Sequence, residues 1–350
     1  MSQAIETLRE RVEHAGKNRE PLEIVGGASK SFLGRTPIGE PLPTTQCRGI
    51  VSYEPTELVI TALAGTPLEE LEQTVADAGQ LLAFEPPHFG PGATLGGTVA
   101  CGLSGPRRPF AGSVRDFVLG IKTINGNGEL LGFGGQVMKN VAGYDLSRLM
   151  TGAMGCLGVL VEVSLKVLPR PAREQTLVFE MDVDSGLAKM HELAASPAPL
   201  SGACFIDDRL YLRLSGTQAG VRTAAERLGG EPADASVWTE IRELTHRALD
   251  VPRPLWRVSV PATTPSNADL PADVIDWGGA LRWLRTEAPA ATVRSWAESC
   301  GGHARLFKGG DRDAAAFHPL KPGLLALHQR LKNAFDPSAI LNSGRMYAEI

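Results

Sequence analysis

"EIVGGASKSFLG", residues 23–34, runs an apolar, strand-like stretch (Leu22, Ile24, Val25) into two glycines and then offers Ser29 and Lys30. Glycine lets backbone N–H groups approach a ligand and take positive φ without a side-chain clash. Successive N–H groups in such a turn form an anion-binding nest. Alone, this could equally be a tight turn after a strand. Two further clusters shift the balance: Gly92-Ala93-Thr94-Leu95-Gly96-Gly97-Thr98 and Gly152 to Gly158. Three such clusters in one half of the chain point to a long phosphate-bearing ligand touched at several places, as a dinucleotide would be. No GxGxxG sits between a strand and a long helix, so a Rossmann site is disfavoured. No GxxxxGK[ST] occurs, so a P-loop is excluded.

Around these clusters the chain of 350 residues has room for two domains, with 43% hydrophobic residues for a core. A formal net charge of -4 and no basic run argue against nucleic acid. The N-terminus lacks a basic region followed by an apolar one, so no signal peptide is expected. Leu149 to Val161 is too short and too rich in glycine to span a bilayer. The expectation is a cytoplasmic protein, peripheral to a membrane only indirectly, through a complex. The five cysteines never form a CxxC, which excludes an iron–sulfur ligand set. The seven histidines are as scattered, and no metal site is expected.

Ile5, Leu8, Val12 and Ala15 recur at helical spacing. Residues 57–63 read as a strand. Thr66-Pro67-Leu68-Glu69 reads as a capping box opening a helix with Leu68, Leu71 and Val75 on one face. Residues 86–112, dense in glycine and proline, read as a long binding loop. Asn125-Gly126-Asn127-Gly128 is a hairpin signal between two strands. Beyond Pro171 the pattern becomes ordinary α+β, and the last helix carries Leu324, Leu327, Leu331 and Phe335.

"IVGGASK", "PGATLGGTVACGLSG", "RDFVLGIKTINGNGEL" and "KNVAGYDLSRLMTGAMGCLGVLVEVSLKVLP", in this order, resemble the FAD-binding domain of the p-cresol methylhydroxylase/vanillyl-alcohol oxidase superfamily. More narrowly, "VMKNVAGYD", "DWGGALRWL" and the tail "FHPLKPG…FDPSAILNSGRMY" are similar to the FAD-binding subunits of bacterial glycolate oxidases. The resemblance covers essentially the whole chain. It implies an α+β fold: an FAD-binding domain of two subdomains over 1–171, an α+β cap domain over 172–315, and a segment 316–350 returning to the FAD domain. The cap is expected to pack over the flavin ring.

The same resemblance implies which residues hold FAD. Gly26, Gly27, Ala28, Ser29 and Lys30 should cradle the pyrophosphate, with Lys30 a local charge or surface residue rather than a base. Thr94, Gly96, Gly97, Thr98, Ala100, Cys101 and Gly105 should line the pyrophosphate and flavin region. Gly152, Gly155 and Val159 should lie near the adenine or flavin edge. No histidine follows the first glycines and Cys101 is not in a linking context, so FAD is expected to be non-covalent.

Oxidising a 2-hydroxy acid needs a carboxylate anchor, a proton acceptor and a hydride acceptor. His303, Tyr144 and Arg345 are the candidates for catalysis, with His318, Arg257 and Arg282 beside them. Each has an ordinary structural alternative: a satisfied histidine, a loop-fixing tyrosine, a packing arginine. By resemblance, the partners are a companion FAD-linked catalytic subunit and an iron–sulfur subunit, and the complex converts glycolate to glyoxylate. This chain then relays electrons or forms a second flavin site. A self-sufficient FAD-dependent hydroxy-acid oxidoreductase and a structural subunit with little flavin use are the alternatives. A UDP-N-acetylmuramate-type reductase is disfavoured by the "DWGGALRWL" and tail sequences.

Overall fold

The computed structural model describes residues 3–135 and 145–350. Two compact units emerge: the first from Met1–Leu103, Ser113–Pro169 and Pro319–Ile350, the second from Ser104–Gly112 and Arg170–His318. Residues 104–112, expected among the flavin loops, therefore belong to the second unit. The physical cause is local. Arg107 donates to the Glu174 carboxylate and to Ser215 Oγ, and Trp277 Nε1 donates to the Gly105 carbonyl at 3.0 Å.

The first unit contains strands β1 (Leu22–Val25), β2 (Glu40–Pro43), β3 (Ile50–Glu54), β4 (Val59–Leu63), β5 (Gln80–Leu81), β6 (Val118–Ile124), β7 (Leu130–Gly134), β8 (Val159–Lys166) and β9 (Leu168–Pro169). An antiparallel sheet runs β3-β4-β8-β6-β7. β1 and β2 form a separate parallel pair, and β5 and β9 an antiparallel one. Central β8 reads VLVEVSLK, a nearly continuous apolar run whose residues are mostly buried, as expected of a strand covered on both faces. The helix Gln3–Asn18 buries Ile5, Leu8, Val12 and Ala15, the stripe its spacing predicts, in one core with Ile124, Val159, Val161 and Leu341.

Two readings in this unit are corrected. The Thr66 hydroxyl does not cap the helix Leu68–Asp77, whose N-cap Pro67 has no side-chain bond; it bonds instead to the backbone of Gly49. Residues 86–112 are not one irregular loop, because the helix Leu95–Cys101 lies within them. Thr94 caps that helix by accepting from Gly97 N, an interaction that stabilises by about 1 kcal/mol.

The second unit is a single antiparallel sheet of β10 (Arg173–Glu180), β11 (Leu200–Ile206), β12 (Arg209–Gly216), β13 (Glu231–Pro232), β14 (Leu255–Ser259), β15 (Val274–Asp276), β16 (Leu281–Arg285) and β17 (His303–Lys308). Its order is β13-β10-β12-β11-β15-β16-β14-β17. β16, the "LRWLR" inside "DWGGALRWL", was not anticipated as a strand; it pairs with both β14 and β15. Among the described residues, no helix is long and apolar enough to cross a membrane.

The last helix, Pro322–Phe335, belongs to the first unit. Its apolar stripe does not build a core: Leu324 is 46% and Leu327 43% exposed, and the helix's one fully buried residue is Lys332.

Candidate cofactor cleft

A concave cleft opens in the first unit, lined by both glycine turns and apolar side chains, the mixture that small-molecule sites use. Its floor is the turn after β1. Gly27 approaches the backbone so closely there that a Cβ would lie 1.4 Å from the Gly92 carbonyl oxygen. Only glycine fits. Ala28 follows at φ 57, left-handed for a residue with a side chain, a strain of the kind stored at binding sites. The Ser31 N–H closes the turn on Ala28 O at 3.0 Å. Opposite stand Thr94, Gly96, Gly97, Ala100 and Cys101 from the helix Leu95–Cys101 and its cap. Met150, Met154 and Leu160 supply an apolar wall.

Lys30 is not a surface residue. It is 7% exposed and lines the cleft. Its ammonium reaches the His88 carbonyl at 3.3 Å and Ser29 Oγ at 3.4 Å, and lies 5.9 Å from the Phe89 ring centre. A buried ammonium beside a glycine turn supplies positive charge where a pyrophosphate would bring negative charge.

The structure thus gathers Gly26, Gly27, Ala28, Ser29, Lys30, Thr94, Gly96, Gly97, Ala100, Cys101 and Gly155 around one cleft. Four other expected residues are not among its lining. Gly105 lies in the second unit. Thr98 and Val159 are fully buried, with Val159 in the hydrophobic core. The backbone of Gly152 abuts Gly102, on which a Cβ would meet Gly152 Cα at 2.8 Å. Of the catalytic candidates, Arg345 lines the cleft, but its guanidinium donates to Ser31 O and Arg35 O, both at 3.0 Å. His303, on β17, is in the second unit, 6.4 Å from His318 between ring centres. His318 bonds Glu298 through Nε2 at 2.9 Å and accepts from Ala304 N, a structural setting. Tyr144 lies outside the described residues. Among the described residues no group of three His, Cys, Asp or Glu side chains is arranged to hold a metal ion.

Asn342 was missed. Its Oδ1 accepts from Ile24 N and its Nδ2 donates to Met154 O, both at 2.7 Å, so one amide ties the two walls to the C-terminal tail. Cys156 nearby is buried, and desolvation pushes its thiol up to about 11, well away from reactive thiolate character.

The residues present fit a dinucleotide such as FAD: a close-approach glycine turn, a capped helix start facing it, a buried ammonium and an apolar wall. Residues 3–134 match the family described as FAD binding domain. Over 346 residues, 99% of this chain and 98% of the relative, the sequence is 49% identical to glycolate oxidase subunit GlcE of Escherichia coli (strain K12). The chain belongs to the GlcE family. Glycolate oxidase subunit GlcD of Bacillus subtilis (strain 168) is 32% identical over 139 residues, covering 38% of this chain and 29% of that one. A solved alkyldihydroxyacetonephosphate synthase superposes with a TM-score of 0.66 at 16% identity, over 96% of this chain and 75% of that one. That likeness speaks to the fold alone, which is the p-cresol methylhydroxylase-type FAD-binding fold. This GlcE-family chain is an FAD-dependent oxidoreductase subunit.

Proposed function

We propose that this chain is the FAD-binding subunit of a multi-subunit complex that oxidises glycolate, or a closely related 2-hydroxy acid, to glyoxylate. The observation that carries the reading is the cleft floored by Gly26 to Lys30 in a chain similar to a glycolate oxidase subunit over nearly its full length. When bound, FAD supplies a two-electron hydride acceptor. The chain's own residues have separate tasks. The backbone amides of the 26–30 turn and the Lys30 ammonium hold the pyrophosphate. Thr94, Gly96 and Gly97 bring the helix start close to it. Met150, Met154 and Leu160 exclude water, and Asn342 keeps the walls together.

FAD is held non-covalently in this reading: no histidine is found among the described residues lining the cleft, and Cys101, which does line it, is not in a linking context. The chain works in the cytoplasm and relays electrons or forms a second flavin site. Its five cysteines are dispersed as reduced thiols, Cys47, Cys156 and Cys204 of them buried, which favours an iron–sulfur partner over a cluster in this chain.

The test is an anaerobic visible spectrum of the purified chain, before and after glycolate, alone and with its companion subunits. A flavin band that bleaches only in the complex supports the relay. Bleaching in the isolated chain gives it an independent substrate site, and a chain without flavin overturns the reading.

A further inference from the structure

The sheet of the second unit has two unlike faces. On one, Trp256, Val258, Leu284, Ala304 and Leu306 pack with Val293 and Ala297 of the helix Ala290–Ser299. The alternate residues point the other way. There Arg257 on β14 stands directly opposite Trp283 on β16 and Arg305 on β17. Two arginines facing each other across a ladder repel, a pairing that sheets avoid.

Arg257 is also poorly served. Its guanidinium lies 4.8 Å from the Trp277 ring centre and 5.9 Å from that of Trp283. Arg108 stacks on the same Trp277 ring at 4.3 Å. Among the described residues, its one hydrogen bond is a long one, 3.5 Å, to Ser259 Oγ. Other arginines of this unit are better paired. Arg282 donates to Gly279 O and Thr264 O at 2.9 and 2.6 Å. Arg285 donates to Leu249 O and Arg253 O at 2.9 and 2.6 Å, and Arg213 to Ser201 O at 2.9 Å. Desolvation, then Arg305 and Arg108, hold the Arg257 pKa well below the usual arginine range. Asp276 works in the opposite direction, but its carboxylate accepts from the Trp277 N–H.

We propose that this face is a binding site for a small carboxylate anion, gripped by the fork of Arg257 and drawn in by the neighbouring charges of Arg305 and Arg108. A planar guanidinium matches a carboxylate with two parallel N–H···O bonds, and an anion there turns the Arg257–Arg305 repulsion into shared attraction. The residues of this site belong to the second unit, and those lining the cofactor cleft to the first. The choice of glycolate as a ligand rests on the proposed function; the carboxylate chemistry does not.

The experiment is calorimetric titration of the flavin-loaded chain with glycolate and with oxalate, in parallel with tryptophan fluorescence. Saturable binding is expected, weakened about tenfold in Arg257→Gln and less in Arg108→Gln, whose exposed side chain leaves folding intact. Arg257→Lys should recover part of the loss, because it restores charge without the fork. The visible flavin spectrum should be the same in all variants. Absence of saturable binding to the wild type, or equal binding by Arg257→Gln and Arg108→Gln, overturns the site. Either can occur with the flavin spectrum intact, so loss of this site and loss of the FAD reading are told apart. If Arg257→Gln does not fold, Arg108→Gln and the wild-type titration decide.

Discussion

Lys332 Nζ and Asp336 Oδ2 lie 2.7 Å apart, both sealed from solvent at the end of the last helix. Lys332 also donates to Cys156 O and Leu341 O, while Asp336 accepts from Ile340 N and Leu341 N. The pair turns the tail so that Asn342 and Arg345 enter the cleft wall.

Removing one partner leaves a buried charge alone. Asp336→Asn or Lys332→Met should therefore destabilise by about 3–5 kcal/mol, and the double variant by less than the sum of the two. Urea unfolding of the four proteins measures this. Strictly additive losses would mean that the two residues act separately.

The Gly27 turn allows no side chain. Gly27→Ala should force Gly92 away and yield a folded protein with little or no bound flavin, whereas Gly132→Ala, where a Cβ meets nothing, should keep it. Flavin absorbance per protein after purification is the readout, and a fully loaded Gly27→Ala protein would sink the cradle.

Thr98 Oγ1 is a buried hydroxyl with no hydrogen-bond partner among the described residues. Replacing it by the isosteric Val removes an unmet desolvation cost. Thr98→Val should match or exceed wild-type stability, by up to about 1 kcal/mol, without changing flavin content. Lost flavin would show instead that the hydroxyl serves the cofactor.

His303 has a pKa lowered by partial burial first and then by Arg257, His318 and Arg305. As pH falls through its unfolded value, the unfolded chain takes up the proton before the folded one does. Stability is therefore full above about pH 6.5 and declines below it. The slope should be shallow, since His303 is an exposed residue. Denaturant midpoints across that range should show the decline in the wild type and a flatter profile in His303→Asn.

The glycine turns, the N-terminal helix and the Asn125–Gly128 hairpin were legible because their physics is local: close approach, a one-sided stripe, a glycine-rich reversal between two strands. β16 was not, because Arg282 and Arg285 break the apolar pattern of "LRWLR" and hide a strand buried within a sheet. Nor was the fate of Leu324 and Leu327, since a stripe announces a face without saying what covers it. Asn342 escaped notice because its partner Ile24 is 318 residues away. The burial of Lys30, read as a local charge or a surface residue, was hidden for a related reason: the His88 carbonyl and the Phe89 ring that it meets come from a different part of the chain.

The second unit is inserted between pieces of the first, which has a consequence in time as well as in space. During synthesis the glycine turn emerges early, yet the tail carrying Asn342 and Arg345 leaves the ribosome only after the whole insertion. A nascent chain cannot finish its cleft until then.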